Sequence, residues 1–290
     1  MDTPLNAPDC SPVMVIVAGQ SNALGYTLSA ADLPPHLAAP DPAQIWSPQA
    51  RAFVPLRPGA NTGAPNNPQS WGPETQFAYR WRQDHACAPL YVVKYARGET
   101  GLAPDLAARD WSPSSHGDLW DAASTEIDAA KAGLAAQGLA PRVRAVLWMQ
   151  GETDAQSPAK SLAYAANLAT FVAHVRTRWG DADTIVQIGQ IDRPGPAGWD
   201  SVRQAQAQVA GGDAKTTLTD TDPFERQPAD GVHLTASGQA RLGDGFYEGL
   251  AAVRPSTRPN SGDRAGRRHR DQPGAPRSDD ERAGHPADRE

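Results

Sequence analysis

Small polar and acidic residues directly follow the longest apolar runs of this 290-residue sequence. Gly19-Gln20-Ser21-Asn22 follows the run at 13–18, and Gln150-Gly151-Glu152 follows the run at 143–149. A serine at a strand-to-helix turn can present its hydroxyl above a sheet as a nucleophile, although the same serine can simply cap a helix. A nucleophilic serine needs a base, so the function of Ser21 depends on what the rest of the chain supplies.

The tetrapeptide Asp230-Gly231-Val232-His233 can supply that base. An aspartate three residues before a histidine can reach the imidazole within one turn, fix its tautomer and stabilise the imidazolium form. The second ring nitrogen is then free to face a serine. Thr235 is expected to cap a helix that begins at Ala236, which would hold this turn in place. Taken with Ser21, the tetrapeptide favours a catalytic pair over a tight turn with a surface histidine.

Two other chemistries fit the spacing of these residues less well. A phosphate-binding P-loop needs glycines five residues apart followed by Lys and Ser or Thr, whereas Gly19 and Gly25 are six apart and Tyr26 follows. Glu152 and Asp154 could be paired carboxylates for glycoside hydrolysis. Residues two apart on a loop rarely present both groups to one bond. A hydrogen-bonding role is therefore expected for Glu152, and Asp154 is expected to cap a helix or to be solvated.

The elements that must position these residues alternate between strands and helices. Continuous apolar, β-branched runs are typical of strands covered on both faces, and the Ala-rich stretches between them are amphipathic. This alternation predicts a three-layer α/β domain with a parallel sheet, whose ligands bind at the carboxyl ends of the strands. The predicted strands are Val13–Ala18, Leu90–Ala96, Val143–Met149, Thr184–Ile191 and Thr216–Thr219. The predicted helices are Glu74–His85, Ala122–Ala136, Lys160–Trp179, Trp199–Val209 and Ala236–Val253.

Two long stretches are predicted to be irregular, and the chain is expected to end in a disordered tail. The irregular stretches, Leu28–Trp71 and Gly98–Trp120, are candidates for functional loops, since long loops in a compact domain tend to be functional. From Arg254 onward the only aliphatic side chains are alanines, and nine Arg accompany seven Asp or Glu. Such a segment cannot bury enough apolar surface to fold. The sequence therefore predicts one domain at 11–253 and a charged tail at 254–290.

Composition narrows the range of partners and locations. The net charge of −6 does not favour nucleic acid as a partner, and no apolar run is long enough to span a membrane. The N-terminal residues lack the basic and apolar regions of a signal peptide, so a cytoplasmic protein is expected. Cys10 and Cys87 lie far apart and lack metal-ligand spacing, and they are expected to be unrelated thiols.

Four blocks of the sequence resemble the SGNH (GDSL-like) hydrolase superfamily and, within it, the sialate O-acetylesterase-like carbohydrate esterases. The blocks, in chain order, are AGQSNALG (18–25), KYARGETGL (94–102), WMQGETDA (148–155) and DGVHLTASG (230–238). The segments SWGPETQFA (70–78) and DWSPSSHGDLW (110–120) are similar to connecting segments in these enzymes, so the resemblance spans residues 13 to about 250. It implies a flavodoxin-like α/β/α sandwich around a five-stranded parallel sheet.

The resemblance implies a serine esterase that removes small acyl groups, most simply acetyl, from a carbohydrate. Ser21 would be the nucleophile, His233 the general base and Asp230 the acid that orients the imidazole. The reaction would pass through an acyl-enzyme and would need neither a cofactor nor a metal. The expected substrate is a small-molecule or polysaccharide acyl ester.

The resemblance also implies which groups stabilise the reaction. The oxyanion would be bound by the N–H of Ser21, the N–H of Gly98 and the side-chain amide of Gln150. Losing one such donor typically lowers turnover by about 10²–10³-fold. The residues expected to support these groups without contacting the ester are Gln20, Asn22 and Glu152.

One block departs from the family pattern and keeps two further hypotheses open. The family usually has Gly-Gly-Thr where this sequence has Gly98-Glu99-Thr100. Because the Glu99 charge would disfavour a nearby oxyanion, a catalytically silent carbohydrate-binding module of the same fold is the alternative to an esterase. The same machinery acting on a lipid or another acyl ester is the third hypothesis. The tryptophans in or beside the long loops are candidates for lining a sugar pocket, namely Trp46, Trp71, Trp111 and Trp120.

Overall fold

Seven strands form one sheet with helices on both faces in a computed structural model, which describes residues 9–253 except 40, 64–66, 106–108, 116–117 and 193–196. The strands are β1 (Val13–Gly19), β2 (Asp41–Ser47), β3 (Ala52–Leu56), β4 (Leu90–Ala96), β5 (Arg142–Met149), β6 (Ile185–Gly189) and β7 (Thr216–Thr219). The helices are α1 (Ser21–Leu24), α2 (Pro73–Asp84), α3 (Leu119–Ala135), α4 (Glu152–Ala155), α5 (Pro158–His174), α6 (Ala197–Gly211) and α7 (Ala236–Ala252). A π-helical turn at Val175–Trp179 extends α5.

The strand order is β3-β2-β4-β1-β5-β6-β7, and all neighbouring pairs are parallel except β2 with β3. The predicted strands correspond to β1, β4, β5, β6 and β7. Within that set the order is second, first, third, fourth, fifth, which is the flavodoxin-like arrangement. The predicted fold class is therefore confirmed, and β1 lies at the centre of the sheet.

The prediction of five strands is wrong in number, because the sheet contains two more strands. These are β2 and β3, which form a hairpin inside the stretch expected to be irregular. Pro42 and Pro55 interrupt these segments, and neither segment is a continuous apolar run. Proline is tolerated in β3 because that strand is at the edge of the sheet, where one side needs no ladder partner. The sequence pattern used to find buried strands could not detect such an edge hairpin.

Alternate side chains of β5 show how the two layers of helices cover the sheet. Trp148 packs on Phe171 of α5, with ring centroids 4.2 Å apart. The next residue, Met149, lies on the opposite face beside Leu242 of α7, where both are close neighbours of Gly189. The alternation follows from the two-residue period of a strand. The result is the predicted three-layer sandwich.

A disulfide joins Cys10 to Cys87, so the expectation of unrelated thiols is wrong. The first cysteine precedes β1 and the second precedes β4. Because β1 and β4 are parallel neighbours, their leading segments meet at the same edge of the sheet. The 77-residue separation in sequence concealed this proximity.

The predicted tail at 254–290 lies outside the described residues. Within the part that is described, no helix is long and apolar enough to cross a membrane.

Candidate active site

Ser21 begins α1 directly beyond the carboxyl end of β1, at the centre of the sheet. Gly19 ends the strand with a φ of +133°, and a Cβ at that position would lie 2.1 Å from the carbonyl oxygen of Met149. Only glycine lets the chain pass so close to β5. Gln20 N–H then donates to the same carbonyl at 2.9 Å. The chain therefore turns sharply at Gly19 and brings Ser21 to the crevice where sheets of this order bind ligands.

A buried ion pair holds the far end of α1. Lys94 Nζ donates to Leu24 O at 3.1 Å and to Glu74 Oε1 at 2.8 Å. It also donates to Thr62 O at 2.7 Å. Burial lowers the pKa of Lys94, and the Glu74 carboxylate opposes this effect. The ammonium group satisfies a carbonyl at the end of the helix and fixes α1 against β4.

Asp230 and His233 form the pair that their spacing predicts. His233 Nδ1 lies 2.8 Å from Asp230 Oδ2, and Asp230 Oδ1 accepts the backbone N–H groups of Val232 and His233 at 2.8 and 2.9 Å. Burial alone would raise the pKa of Asp230, but these hydrogen bonds outweigh it and lower that pKa below its ordinary value. An ionised Asp230 fixes the Nδ1–H tautomer and leaves Nε2 of His233 unprotonated, so that it can accept a proton.

Asn22 connects the serine turn to the histidine loop. Its Nδ2 donates to Val232 O at 3.2 Å, and its Oδ1 accepts Leu234 N–H at 3.0 Å. The backbone carbonyl of Asn22 accepts from Gln239 of α7 at 2.8 Å. These contacts flank His233 on both sides in sequence. They place the histidine beside the residue that follows Ser21 in the chain.

Glu152 lies beneath the same junction. Its side chain is 3% exposed, and Oε1 accepts from Asn22 Nδ2 at 3.1 Å. Burial raises the pKa of Glu152, opposed by hydrogen bonds from its own N–H and from Asn22 and by the nearby His233 ring. Its Oε2 is buried without a hydrogen-bond partner in the structure. Glu152 therefore lies between the serine turn and the histidine loop, where it accepts a hydrogen bond from Asn22.

Gly98 is a neighbour of Ser21 in space. A Cβ on Gly98 would be 3.9 Å from Ser21 Cβ, and no described group accepts a hydrogen bond from the N–H of either residue. Glu99 follows with an exposed side chain and a φ of +60°. Glycine adopts this left-handed conformation freely, whereas another residue is strained there by about 1–3 kcal/mol. The departure from the Gly-Gly-Thr pattern thus falls on a position where the backbone favours glycine.

The Ser21 hydroxyl is partly accessible and has no hydrogen-bond partner among the described residues. Ser21 is 7% exposed, and its Oγ makes no hydrogen bond with the described residues yet is not completely enclosed. Among the described residues, no direct hydrogen bond joins Ser21 to His233. Two surface depressions, of about 360 and 560 Å³, lie elsewhere and are lined by neither Ser21 nor His233. The position of the candidate site is therefore argued from its side chains and not from these two depressions.

Comparison with known proteins identifies the class of enzyme. A family model described as "Carbohydrate esterase, sialic acid-specific acetylesterase" matches residues 12–251. The chain belongs to this family. It is therefore a carboxylic ester hydrolase, and the esterase acts on acetyl groups of carbohydrates as its family does. A search of curated protein sequences gives no match.

Solved structures similar to the esterase confirm the fold. A protein from Arabidopsis thaliana superposes with a TM-score of 0.67 at 20% identity, over 84% of this chain and 99% of that one. NanS gives 0.62 at 15% identity, over 84% and 98% of the two chains. A carbohydrate acetylesterase from Xanthomonas citri gives 0.56 at 18% identity, over 83% and 56%. At these identities the similarity extends to the fold alone.

The predicted role of Gln150 is not compatible with its contacts in the esterase. The side chain is fully buried, and Nε2 donates to Asp154 Oδ2 at 2.7 Å and to Thr100 O at 2.9 Å. Its Oε1 lies 3.0 Å from the hydroxyl of Tyr164. An amide has only two N–H donors, and both are engaged. Gln150 holds loops together beneath the site and does not face Ser21, so it is corrected from oxyanion donor to supporting residue.

Asp154 is a residue whose role the sequence did not reveal. It was expected to be a helix cap or solvated, but it is fully buried. Its carboxylate accepts the N–H groups of Leu102 and Ala103 at 2.7 and 3.0 Å, in addition to Gln150. Asp154 thus fixes the loop that carries Gly98. In the sequence, the only indication that Asp154 has such a role is that it lies within the block WMQGETDA.

The four tryptophans proposed to line a sugar pocket are instead buried, with exposures of 0–5%. Their indole N–H groups or rings are engaged inside the domain, as Trp46 with Glu126 and Trp111 with Thr100 show. Among the described aromatic residues, Tyr26 is the exposed one, at 41%. Its ring centroid lies 5.7 Å from that of His233. The exposed aromatic ring beside His233 is therefore that of a tyrosine rather than of one of the four tryptophans.

Proposed function

We propose that the esterase removes an acetyl group from a carbohydrate hydroxyl through a triad of Ser21, His233 and Asp230 and an acyl-enzyme on Ser21. The observation that carries this proposal is the Asp230–His233 hydrogen bond of 2.8 Å, held next to the serine turn by Asn22. A carboxylate-oriented imidazole beside an open serine hydroxyl is the arrangement that acyl transfer requires.

The reaction proceeds in two half-reactions. His233 Nε2 takes the proton of the Ser21 hydroxyl as Oγ attacks the ester carbonyl, forming a tetrahedral intermediate. The intermediate collapses, the sugar hydroxyl leaves with the proton from His233, and acetyl remains on Ser21. Water then attacks the acetyl carbonyl with His233 again as base, which releases acetate and restores the hydroxyl. Asp230 stays ionised and stabilises the imidazolium in both halves.

The oxyanion is bound by backbone donors from two strand ends. Ser21 N–H and Gly98 N–H have no acceptor among the described residues, and a Cβ on Gly98 would lie only 3.9 Å from Ser21 Cβ. Pre-positioned N–H groups of this kind stabilise the charge that develops on the carbonyl oxygen. Because Gly98 presents only a hydrogen toward Ser21, the ester carbonyl can enter between them.

A carbohydrate substrate suits the surface around His233. Sugar rings expose C–H faces that pack on aromatic rings, and Tyr26 presents such a ring at the edge of the site. The backbone of Tyr26 is fixed, since its N–H donates to Ser21 O at 3.1 Å and its carbonyl accepts from Asn67 at 2.8 Å. The similar protein from Xanthomonas citri is itself described as a carbohydrate acetylesterase.

Turnover of p-nitrophenyl acetate by matched variants tests the triad. Ser21→Ala and His233→Ala are expected to lower kcat by at least about 10³-fold, and Asp230→Asn by a similar factor. The reason is that the three side chains of the triad act together, so that losing any one of them disables the other two. A fluorophosphonate should label the wild type on Ser21 and leave Ser21→Ala unlabelled. An active wild type whose Ser21→Ala variant keeps full turnover would exclude this mechanism.

Two further measurements separate the esterase from its alternatives. Preference for octanoyl over acetyl esters would indicate a lipid or other acyl ester as substrate. A folded wild type that binds acetylated sugar but is neither active nor labelled would indicate a silent binding module, the hypothesis that Glu99 favours.

A further inference from the structure

The segment that carries His233 has little apolar anchorage of its own. No residue from 222 to 233 is buried, and the first side chain after His233 that enters the core is Leu234, at 2% exposure. A segment with few buried apolar contacts opens easily unless other interactions hold it. Asn22 holds one side of this segment, so the position of His233 also depends on what holds the other side.

Backbone hydrogen bonds place Arg226 beside His233. Gln227 N–H donates to His233 O at 2.7 Å, and Arg226 forms an antiparallel bridge with Leu234. The short extended segment that contains Arg226 is therefore the backbone partner of the segment that contains His233. Because the two segments are hydrogen-bonded, a displacement of Arg226 would be transmitted to the histidine.

The guanidinium group of Arg226 connects this pair of segments to the carboxyl ends of two strands. The side chain is 11% exposed, and its Nε lies 2.9 Å from Asp192 Oδ2, beyond the end of β6. This contact is an ion pair and not an aligned hydrogen bond. The other two nitrogens donate to Phe224 O at 2.7 Å and to Thr221 O and Oγ1, both at 3.0 Å, beyond the end of β7. One side chain thus ties the histidine segment to β6 and β7.

Asp192, the partner of Arg226, is itself fixed and lies near the support of His233. It is 5% exposed, and its Oδ1 accepts from the indole N–H of Trp199 at 3.3 Å. Burial raises the pKa of Glu152 and the charge of Asp192 adds to this effect, so Asp192 lies near the carboxyl group that accepts from Asn22. Removing Arg226 would leave the buried Asp192 carboxylate without its counter-ion, which is strongly unfavourable.

We propose that Arg226, paired with Asp192, is a positioning residue that holds His233 where it can accept the proton of Ser21. The guanidinium group acts through the backbone segment paired with His233 and not on the ester itself. A misplacement of about 1 Å in a catalytic group can lower a rate about 10²-fold. This inference rests on the proposed function, because it assigns a role within the Ser21 reaction.

Turnover of p-nitrophenyl acetate by Arg226→Ala, measured well below its Tm, tests this role. The kcat is expected to fall about 10–10²-fold with KM within about twofold, because the substrate still binds while His233 is displaced. Guanidinium ion, at a concentration too low to unfold the protein, should restore kcat at least about fivefold by occupying the vacated place beside Asp192. Methylammonium at the same ionic strength should not restore it, since it lacks the planar fork of donors.

A conservative variant keeps the test usable if Arg226→Ala does not fold. Arg226→Lys retains the positive charge but cannot bridge Asp192 and the carbonyl groups together. Its kcat is expected to be about tenfold below that of the wild type, with KM unchanged.

Arg176→Ala is the matched control. Arg176 forms an ion pair with Asp213 and donates to Thr184 O at 3.1 Å and Thr216 Oγ1 at 3.2 Å. These contacts are of the same kinds as those of Arg226, but they lie at the amino ends of β6 and β7. Arg176→Ala should therefore lower the Tm, whereas its kcat should stay within about twofold of the wild type because it is remote from the triad.

The outcomes distinguish this inference from the mechanism beneath it. If folded Arg226→Ala keeps kcat within about threefold while Ser21→Ala is inactive, the triad stands and Arg226 does not position His233. If Arg176→Ala loses as much kcat as Arg226→Ala, or if guanidinium ion restores none of it, the effect is one of general stability and the proposed role is wrong. A wild type that hydrolyses no ester would overturn the proposed function and this inference with it.

Discussion

Single residues join parts of the active site that are far apart in the chain. Asn22 contacts the carbonyl of Val232, 210 residues away, and so places His233 next to the serine turn. The sequence allowed the pairing of Asp230 with His233 to be predicted because three-residue spacing limits their separation. The direction of Gln150 and the burial of the loop tryptophans could not be predicted, since they depend on how distant elements pack.

Tyr26 is expected to affect sugar esters and not small ones. Tyr26→Ala should raise KM for an acetylated sugar about tenfold, because it removes an aromatic face worth about 1 kcal/mol or more, and should leave p-nitrophenyl acetate kinetics within about twofold. Tyr26→Phe keeps the ring and is the control, with kinetics close to wild type on both substrates. Equal effects of Tyr26→Ala on both substrates would show that the ring supports His233 rather than the sugar.

Glu152 is expected to make folding stability depend on pH. Burial raises its pKa above the ordinary value of 4.5, so the folded state binds the proton more tightly than the unfolded state. Above about pH 4.5 the carboxyl group of Glu152 loses its proton in the unfolded chain before it does so in the folded protein. The folded protein therefore loses stability as the pH rises from about 4.5 through the pKa of the folded state. Glu152→Gln should gain stability relative to wild type over this interval, measured by urea unfolding at pH steps from 4 to 8. A constant difference across the range would contradict the raised pKa.

At the scale of elements, the strands that position the site were predictable and the loops between them were not. Apolar, β-branched runs marked the five parallel strands, and their ends correctly located Ser21, Gly98 and Gln150 at one edge of the sheet. The hairpin of β2 and β3 lacked that pattern because of its prolines. The loop after β4 is fixed by Asp154, a tertiary contact that no local pattern predicts.

Asp154 is expected to control the mobility of the loop that carries Gly98. Asp154→Ala removes the acceptor of the Leu102 and Ala103 N–H groups, so amide hydrogen exchange at 98–103 should accelerate and kcat should fall about tenfold or more. Asp200→Ala, on an exposed face of α6, is the control and should change neither. Should Asp154→Ala fail to fold, Asp154→Asn retains one acceptor and gives a smaller change. Unchanged exchange in a folded variant would exclude this role.

At the scale of the whole molecule, the Cys10–Cys87 disulfide is the feature least visible in the sequence. Disulfides persist mainly in oxidising compartments, so this one argues against the cytoplasmic location expected from the N-terminal residues. The location itself stays a prediction, as does the disordered tail at 254–290. The redox state of Cys10 in the producing cell, read by thiol alkylation, would decide between compartments.

The disulfide is expected to stabilise the domain without taking part in catalysis. Replacing both cysteines by serine should lower the free energy of unfolding by about 2–4 kcal/mol, because the cross-link restricts a long loop in the unfolded chain. The kcat on p-nitrophenyl acetate at 25 °C should stay within about twofold. A double variant as stable as wild type would show that the bond does not constrain the unfolded chain.

The central claim is that Ser21 deacetylates a carbohydrate, and acetate release from O-acetylated sugars tests it most directly. Wild type and Ser21→Ala would be incubated with a panel of O-acetylated sugars, and acetate would be quantified over time. The account predicts acetate from at least one sugar with wild type, and a rate at least about 10³-fold lower with folded Ser21→Ala. Equal acetate release by the two proteins, or none from any sugar by a wild type that cleaves longer acyl esters, would contradict it.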